Sequence, residues 1–254
     1  MLKKTLTALI VLQISCFELK AQVSNSIDTT LVAYYREKQA KKLLVKKSLK
    51  APALLIGAGI LALTDNDFIS DEDVYEFRQK VLPSSRTNID DYIQYAPIAA
   101  VYGLNLIGVK GKHDLKTQTA LLLKSELLVG AIVTPTKFLS NKLRPDGSTY
   151  NTFPSGHTAQ AFVAATFLHK EYGHLSPWYS ISGYAVATAV GIFRVSNNRH
   201  WVSDVLAGAG IGILSTQLVY LLHNRKQSKK KKKKVLGLPY YNSGSIGITA
   251  YIDL

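Results

Sequence analysis

Cysteine is almost absent. Among 254 residues there is one, Cys16, so a disulfide framework and cysteine-based zinc or iron–sulfur centres are excluded. No fixed-period repeat is visible, and regular strand alternation is missing until the last few residues, which leaves a helical body. Acids are scarce, at 17 against 31 lysines and arginines, for a net charge of +14. Such an excess first suggests a nucleic-acid partner, but its placement argues against one. Residues 36–50 hold seven bases and one acid, and residues 225–234 hold eight bases and no acid, while the rest of the chain is balanced. The excess is two blocks rather than a basic face, and no nucleic acid is expected to bind.

Apolar residues are what the chain has in quantity, at 47%, which excludes a disordered protein. They gather in segments at 51–63, 92–109, 117–133, 158–168, 178–193 and 201–222, separated by polar stretches containing Gly, Pro or charge. A bilayer span needs roughly 20 apolar residues; segments 92–109 and 201–222 come close, 51–63 and 158–168 fall short, and Lys124 with Glu126 interrupt the third. Charge placement favours spans. Lys110, Lys112 and Lys116 follow the second segment and the run from Arg225 follows the last, which makes both cytoplasmic under the positive-inside rule. The stretch from Asp65 to Asp91, with eight acids and three bases, then lies outside. The Ala207-Gly208-Ala209-Gly210 run suits close helix packing.

The expected fold is all-α, a membrane-embedded bundle of about six helices with a short extended C-terminal tail. Lys3 and Lys4, the apolar run 5–17 and Ala21 predict a signal peptide over 1–21. A polar and basic region follows at 22–50, then the helical-bundle domain at 51–224, a polybasic segment at 225–234 and the tail at 235–254. An export signal puts 36–50 outside, against that block's own preference. Reading 36–63 as a helix lying on the outer leaflet resolves the conflict and leaves five spans. The tail alternates Ile246, Ile248, Ala250 and Ile252 after Tyr240-Tyr241-Asn242-Ser243-Gly244, the pattern of an extended segment after a turn.

Chemistry concentrates in three clusters, each at the end of an apolar segment. The first is Lys137, six residues, then Arg144-Pro145; the second is Pro154-Ser155-Gly156-His157; the third is Arg194, five residues, then His200, three residues, then Asp204. Three cations, a serine hydroxyl and a glycine amide suit a tetrahedral dianion, because arginine forks match phosphate oxygens and lysine adds a point charge. Ser155, Gly156 and His157 begin a helical run, so backbone N–H groups and the positive end of the helix dipole point at the same anion. His200 and Asp204, four apart, share a helix face, where the carboxylate can accept from Nδ1 and leave Nε2 unprotonated. His157 is then available as a general acid. His113, His169, His174 and His223 lack such company in the sequence, and Asp146-Gly147 reads as a turn.

In order and spacing these clusters resemble the phosphatidic acid phosphatase type 2 and vanadium haloperoxidase superfamily, on its membrane lipid phosphatase branch. Ten specified positions at roughly one in twenty each make chance agreement about 10⁻¹³ for a fixed spacing. The resemblance implies that Lys137, Arg144, Ser155, Gly156 and Arg194 hold phosphate, His200 attacks phosphorus, Asp204 orients it, and His157 protonates the leaving group. It further implies a phosphohistidine intermediate with no metal and no cofactor. The third motif has Phe193 where the family usually has serine, so a hydrogen bond from that position is missing. The expected partner is a phosphorylated lipid in a bacterial-type inner membrane, with the site facing the periplasm. Phosphatidic acid, phosphatidylglycerol phosphate, an isoprenyl pyrophosphate and a lipid A phosphate all present the same terminal group. A soluble periplasmic acid phosphatase of the same superfamily, a vanadate-dependent haloperoxidase and a non-catalytic lipid-phosphate binder are the competing readings.

Overall fold

Helix starts are written locally in this chain. Ser70, Asp114, Ser155 and Ser176 each stand in extended backbone and accept a hydrogen bond from a backbone N–H two or three residues on, which satisfies a donor that the first turn leaves unpaired. A computed structural model describes residues 45–252 except 65, 67, 68, 83–85, 233, 234, 243 and 244, together with 32, 35, 36, 38, 39 and 43. The signal-peptide reading of 1–21, Cys16 included, lies outside the described residues. The chain divides into two units, Met1–Ser48 and Leu49–Leu254. In the first unit the described residues are helical.

The second unit holds eight helices among the described residues: α1 (49–61), α2 (Asp71–Val81), α3 (Ile89–Ile93), α4 (Ala96–Leu106), α5 (Leu115–Ser140), α6 (Gly156–Tyr172), α7 (Pro177–Ser196) and α8 (Val202–Lys232). The six apolar segments correspond to α1, α4, α5, α6, α7 and α8. The two additional helices arise within the acidic stretch that the apolar pattern leaves as a loop. In α2, Ser70 caps the start, Asp71, Glu72 and Asp73 fill the first turn, and Arg78 and Lys80 fill the last, so charges complement the helix dipole at both ends. The segment expected to be continuous over 92–109 is instead broken at Gln94 and Tyr95. Pro97 lies in the first turn of α4, where its missing N–H costs nothing but where a preceding helix cannot run through. At 11 residues, α4 is about 16 Å long and does not cross a 30 Å hydrocarbon layer. Two described helices, Leu115–Ser140 and Val202–Gln227, are long and apolar enough to span a membrane.

Helix α6 is the centre of the bundle, packed against α4, α5, α7 and α8. Its Val163, Phe167 and Tyr172 are fully enclosed with Val101 of α4 and Leu121 of α5. Small residues let α8 press on the first turn of α6. A Cβ on Gly208 would stand 2.6 Å from the Ser155 carbonyl oxygen, and Gly212 abuts Ala159. Gly208→Val is therefore expected to lower stability by about 1–3 kcal/mol through overpacking, measured as a lower unfolding midpoint. An unchanged midpoint would show that the two helices have room to separate.

The two ends of the bundle differ. At one end His113 Nδ1 meets buried Glu171 Oε1 at 2.8 Å, Tyr220 donates to the same oxygen at 2.5 Å, and the rings of His113 and His223 stand 5.4 Å apart. His113 thus has the company that its sequence neighbours do not supply, and it ties the start of α5 to the later turns of α8. Glu126, the acid inside the third apolar segment, meets Gln160 Nε2 at 2.7 Å. The other end of the bundle carries all three motifs. The tail forms an antiparallel hairpin of β1 (Val235–Asn242) and β2 (Ser245–Ile252), pairing Val235 with Ile252 and Asn242 with Ser245. Strand β2 is the expected extended segment; β1 supplies the partner that gives its backbone groups hydrogen bonds.

Candidate active site

The site is built where the loop 141–155, the end of α7 and the start of α8 meet. Two turns shape the loop. Asn141 leaves α5 with φ +42°, and Gly147, at φ +70°, closes a turn in which its N–H donates to the Arg144 carbonyl at 3.0 Å. Left-handed backbone suits glycine and asparagine. The Ser155 N–H donates to the Asp204 carbonyl oxygen at 2.9 Å, which fastens the second motif to the third.

His200 and Asp204 meet as their spacing predicts. His200 is 2% exposed and Asp204 is fully buried. His200 Nδ1 lies 3.3 Å from Asp204 Oδ2 and 3.0 Å from Thr152 Oγ1, and the Thr152 hydroxyl donates to the same carboxylate oxygen. The Trp201 N–H adds a further donor to Oδ2 at 2.9 Å. With carboxylate and hydroxyl at Nδ1, the ring proton belongs there, and Nε2 carries the lone pair. Burial pushes the His200 imidazole down to about 4, against the opposing pull of Asp204, so at neutral pH the ring is uncharged.

The other carboxylate oxygen, Asp204 Oδ1, faces Lys142 Nζ at 3.5 Å. Lys142 is held by Asp71 Oδ2 at 2.5 Å and Ser203 Oγ at 2.8 Å, while the Ser203 N–H donates to Asp71 Oδ1 at 2.9 Å. Asp71 is the first residue of α2, so the acidic segment reaches the base of the His200–Asp204 pair. Lys142, Asp71 and Thr152 are missed by motif reading; the acidic first turn of α2 is a signal for Asp71 alone.

Arg194 is 7% exposed, with NH1 2.7 Å from Asp90 Oδ2 and 3.6 Å from Asp91 Oδ1. His157 Nε2 lies 2.9 Å from the same Asp91 oxygen. Both aspartates belong to α3. Asp91 thus joins two of the predicted site residues, His157 and Arg194, through a single carboxylate. Burial first and Arg194 next hold the His157 imidazole below its ordinary value, while Asp91 and Asp90 push it the other way. Lys137 donates to the carbonyls of Asn151 at 2.8 Å and Thr152 at 3.3 Å, and its side chain passes 3.8 Å from the position a Cβ on Gly156 would take. Ser155 is fully buried, and its hydroxyl accepts from Thr158 Oγ1 at 2.9 Å and from the Thr158 N–H at 3.4 Å. Accepting these two bonds caps α6 and leaves the Ser155 O–H free to donate.

The arginines supply the sign of an anion site. Nε of Arg144 and Nε of Arg194 are buried without a hydrogen-bond partner among the described residues, and a buried unpaired donor is costly unless something accepts from it. Arg144 is held below its ordinary value by burial first and then by the like charge of Arg194. Burial first, and then Arg144 and Arg194, hold the Lys137 ammonium below its ordinary value, and Arg194 and Lys137 act with burial in the same sense on His200.

The chain matches the PAP2 superfamily model over residues 118–228. It is 39% identical over 201 residues to the lipid A 1-phosphatase of Porphyromonas gingivalis, an alignment covering 74% of this chain and 44% of that protein. The chain thus spans under half the length of this relative. Among solved structures, LpxE from Aquifex aeolicus is similar with a TM-score of 0.44 and 22% identity, covering 57% of this chain and 93% of that one. The first transmembrane PAP2-type phosphatidylglycerolphosphate phosphatase from Bacillus subtilis has a TM-score of 0.43 and 23% identity, covering 69% and 96%.

Proposed function

We propose that the protein is a membrane phosphatase that removes a phosphomonoester or pyrophosphate group from a lipid through a phosphohistidine, without a metal. The observation that carries this reading is the uncharged, buried His200 whose Nδ1 is held by Asp204 and Thr152 beside two arginines with unpaired donors. The similarity to a lipid A 1-phosphatase supports a lipid-borne phosphate as the first substrate to test.

In the first step, His200 Nε2 attacks phosphorus and the P–O bond to the lipid breaks in line. The His200 Nδ1 proton stays against Asp204, which stabilises the cation that forms. His157 donates its proton to the departing alkoxide. In the second step, water attacks the phosphohistidine, His157 takes a proton from it, and inorganic phosphate and neutral His200 are regenerated. Arg144, Arg194, Lys137, the Ser155 hydroxyl and the Gly156 N–H bear the charge on the phosphoryl oxygens. These cations make a metal unnecessary for charge compensation.

The architecture supports a site facing the periplasm. Helix α8 begins beside His200 and runs 31 residues, about 46 Å, into the basic run from Arg225. Basic flanks prefer the cytoplasm, so the catalytic end lies across the membrane from it.

Purified protein in detergent is expected to release phosphate from phosphatidic acid or lipid A with a chelator present; activity restored only by added divalent metal would sink the metal-free mechanism. The pH profile follows from the two histidines. His200 must be neutral, so kcat/KM should rise with pH through about 4. His157 must be protonated and is held below its usual value of 6.5, so kcat/KM should fall again as pH rises, with the midpoint of that fall below 6.5. In kcat both limbs move upward, because a bound dianion favours the charged imidazoles. A profile flat from pH 4 to 8 would contradict these assignments.

A further inference from the structure

Helices α1, α2, α7 and α8 enclose a cavity of about 440 Å³, within the roughly 300–1,000 Å³ typical of ligand pockets. Leu55, Val74, Phe77, Ile192, Val205 and Leu206 form most of its wall. The charged side chain in that wall is Arg78, and its guanidinium is turned to the Ser196 carbonyl oxygen, with Nε at 3.0 Å and NH2 at 2.8 Å. The hydrocarbon lining is interrupted at Thr188 and, at the end nearest the catalytic loop, by Arg78 with Ser196. Val74, Arg78, Val195 and Val202 also border the narrow cleft that contains His200 and Pro145. These four residues form a common wall between the apolar chamber and the cleft beside His200. The chamber opens outward between Phe77 and Ile192, which are 66% and 61% exposed.

We propose that this cavity is the subsite for a hydrocarbon chain of the phosphorylated lipid, with Arg78 marking the boundary between chain and head group. The assignment rests on the phosphatase reading of the site. Bulk lipid alone accounts for an exposed apolar face such as that of α5, where Leu123, Leu127 and Phe138 are 58%, 73% and 79% exposed. It does not account for a chamber that shares four wall residues with the cleft of the proposed nucleophile. A chain seated there leaves its phosphate at His200, so chamber and anion site act on one molecule. Each buried methylene contributes to affinity, and chain length should be read in KM rather than in kcat.

Two measurements test this on the full chain in detergent. In the His200→Ala protein, phosphatidic acid carrying a diazirine in its acyl chain should label residues 74–82 and 188–195. Excess phosphatidic acid should compete this label away, and an equal excess of diacylglycerol with the same chains should not. Label spread over 123–139, or removed equally by both competitors, overturns the proposal. Kinetically, Ile192→Trp should raise KM for dipalmitoyl phosphatidic acid at least about tenfold, the effect of withholding two buried methylenes, with kcat within twofold. The dihexanoyl substrate should be unaffected. Thr188→Trp, at another exposed wall position, should do the same if Ile192→Trp expresses poorly, and Leu127→Trp should change nothing. Equal KM changes for long and short chains overturn the assignment. Phosphate release by the parent protein reads the catalytic proposal separately: specific labelling without release leaves the subsite standing and rejects the hydrolase, and release without cavity labelling does the reverse.

Discussion

Replacing His200 by alanine is expected to lower kcat/KM at least about 10⁴-fold, since loss of a covalent nucleophile removes the whole low-barrier route and leaves only binding and electrostatic stabilisation. Only a group that is buried, neutral and aimed can do this work at neutral pH, and His200 is all three: 2% exposed, pushed down to about 4, and gripped at Nδ1. Removing a buried ring also leaves a cavity, so the unfolding midpoint must be followed alongside phosphate release. A further His200→Gln variant fills most of the space and should be equally inactive. Activity within tenfold of the parent in a folded variant would remove His200 from the reaction.

Asp204→Asn should cost about 10⁴-fold in kcat while keeping the fold, the size of effect seen when an orienting carboxylate becomes an amide in a catalytic triad. Asp204 Oδ2 accepts from the Thr152 hydroxyl, the Trp201 N–H and His200 Nδ1. An asparagine can present its oxygen to some of these donors, but its NH₂ then faces others and favours a proton on His200 Nε2, the atom that must attack. The loss should appear in kcat rather than KM, because the cations proposed to bind phosphate are untouched. A variant with raised KM and normal kcat would mean that Asp204 serves binding and not the orientation of His200.

The motifs were legible because each carries its spacing within a few residues. His200 and Asp204 are one helical turn apart, and the Ser155 cap announces α6. The Asp146-Gly147 turn and the small-residue face of α8 were legible for the same reason. What escaped was set by pairs distant in sequence. Asp71 meets Lys142 and Ser203, and Asp90 meets Arg194, across more than sixty and one hundred residues respectively. No local pattern reports such contacts. Acids at 65–91 looked like a solvated loop because their partners lie in other motifs. Thr152 had no signal at all, being a small polar residue in a connecting loop. Segment 92–109 reads as one helix by hydropathy, which gives one proline little weight, although Pro97 decides where α4 can begin.

The carboxylate of Asp91, 2.9 Å from His157 and 3.6 Å from Arg194, makes binding a substitution of one anion for another. An arriving phosphate group gains only the difference between its own contacts and those Asp91 gives up. A lipid substrate has its hydrocarbon to add to that difference, but free phosphate does not. On the proposed reaction the resting site would therefore disfavour released phosphate, and turnover would not stall as phosphate accumulates. Asp91→Asn should bind inorganic phosphate more tightly, visible as stronger product inhibition; unchanged inhibition would mean that the carboxylate moves aside without cost.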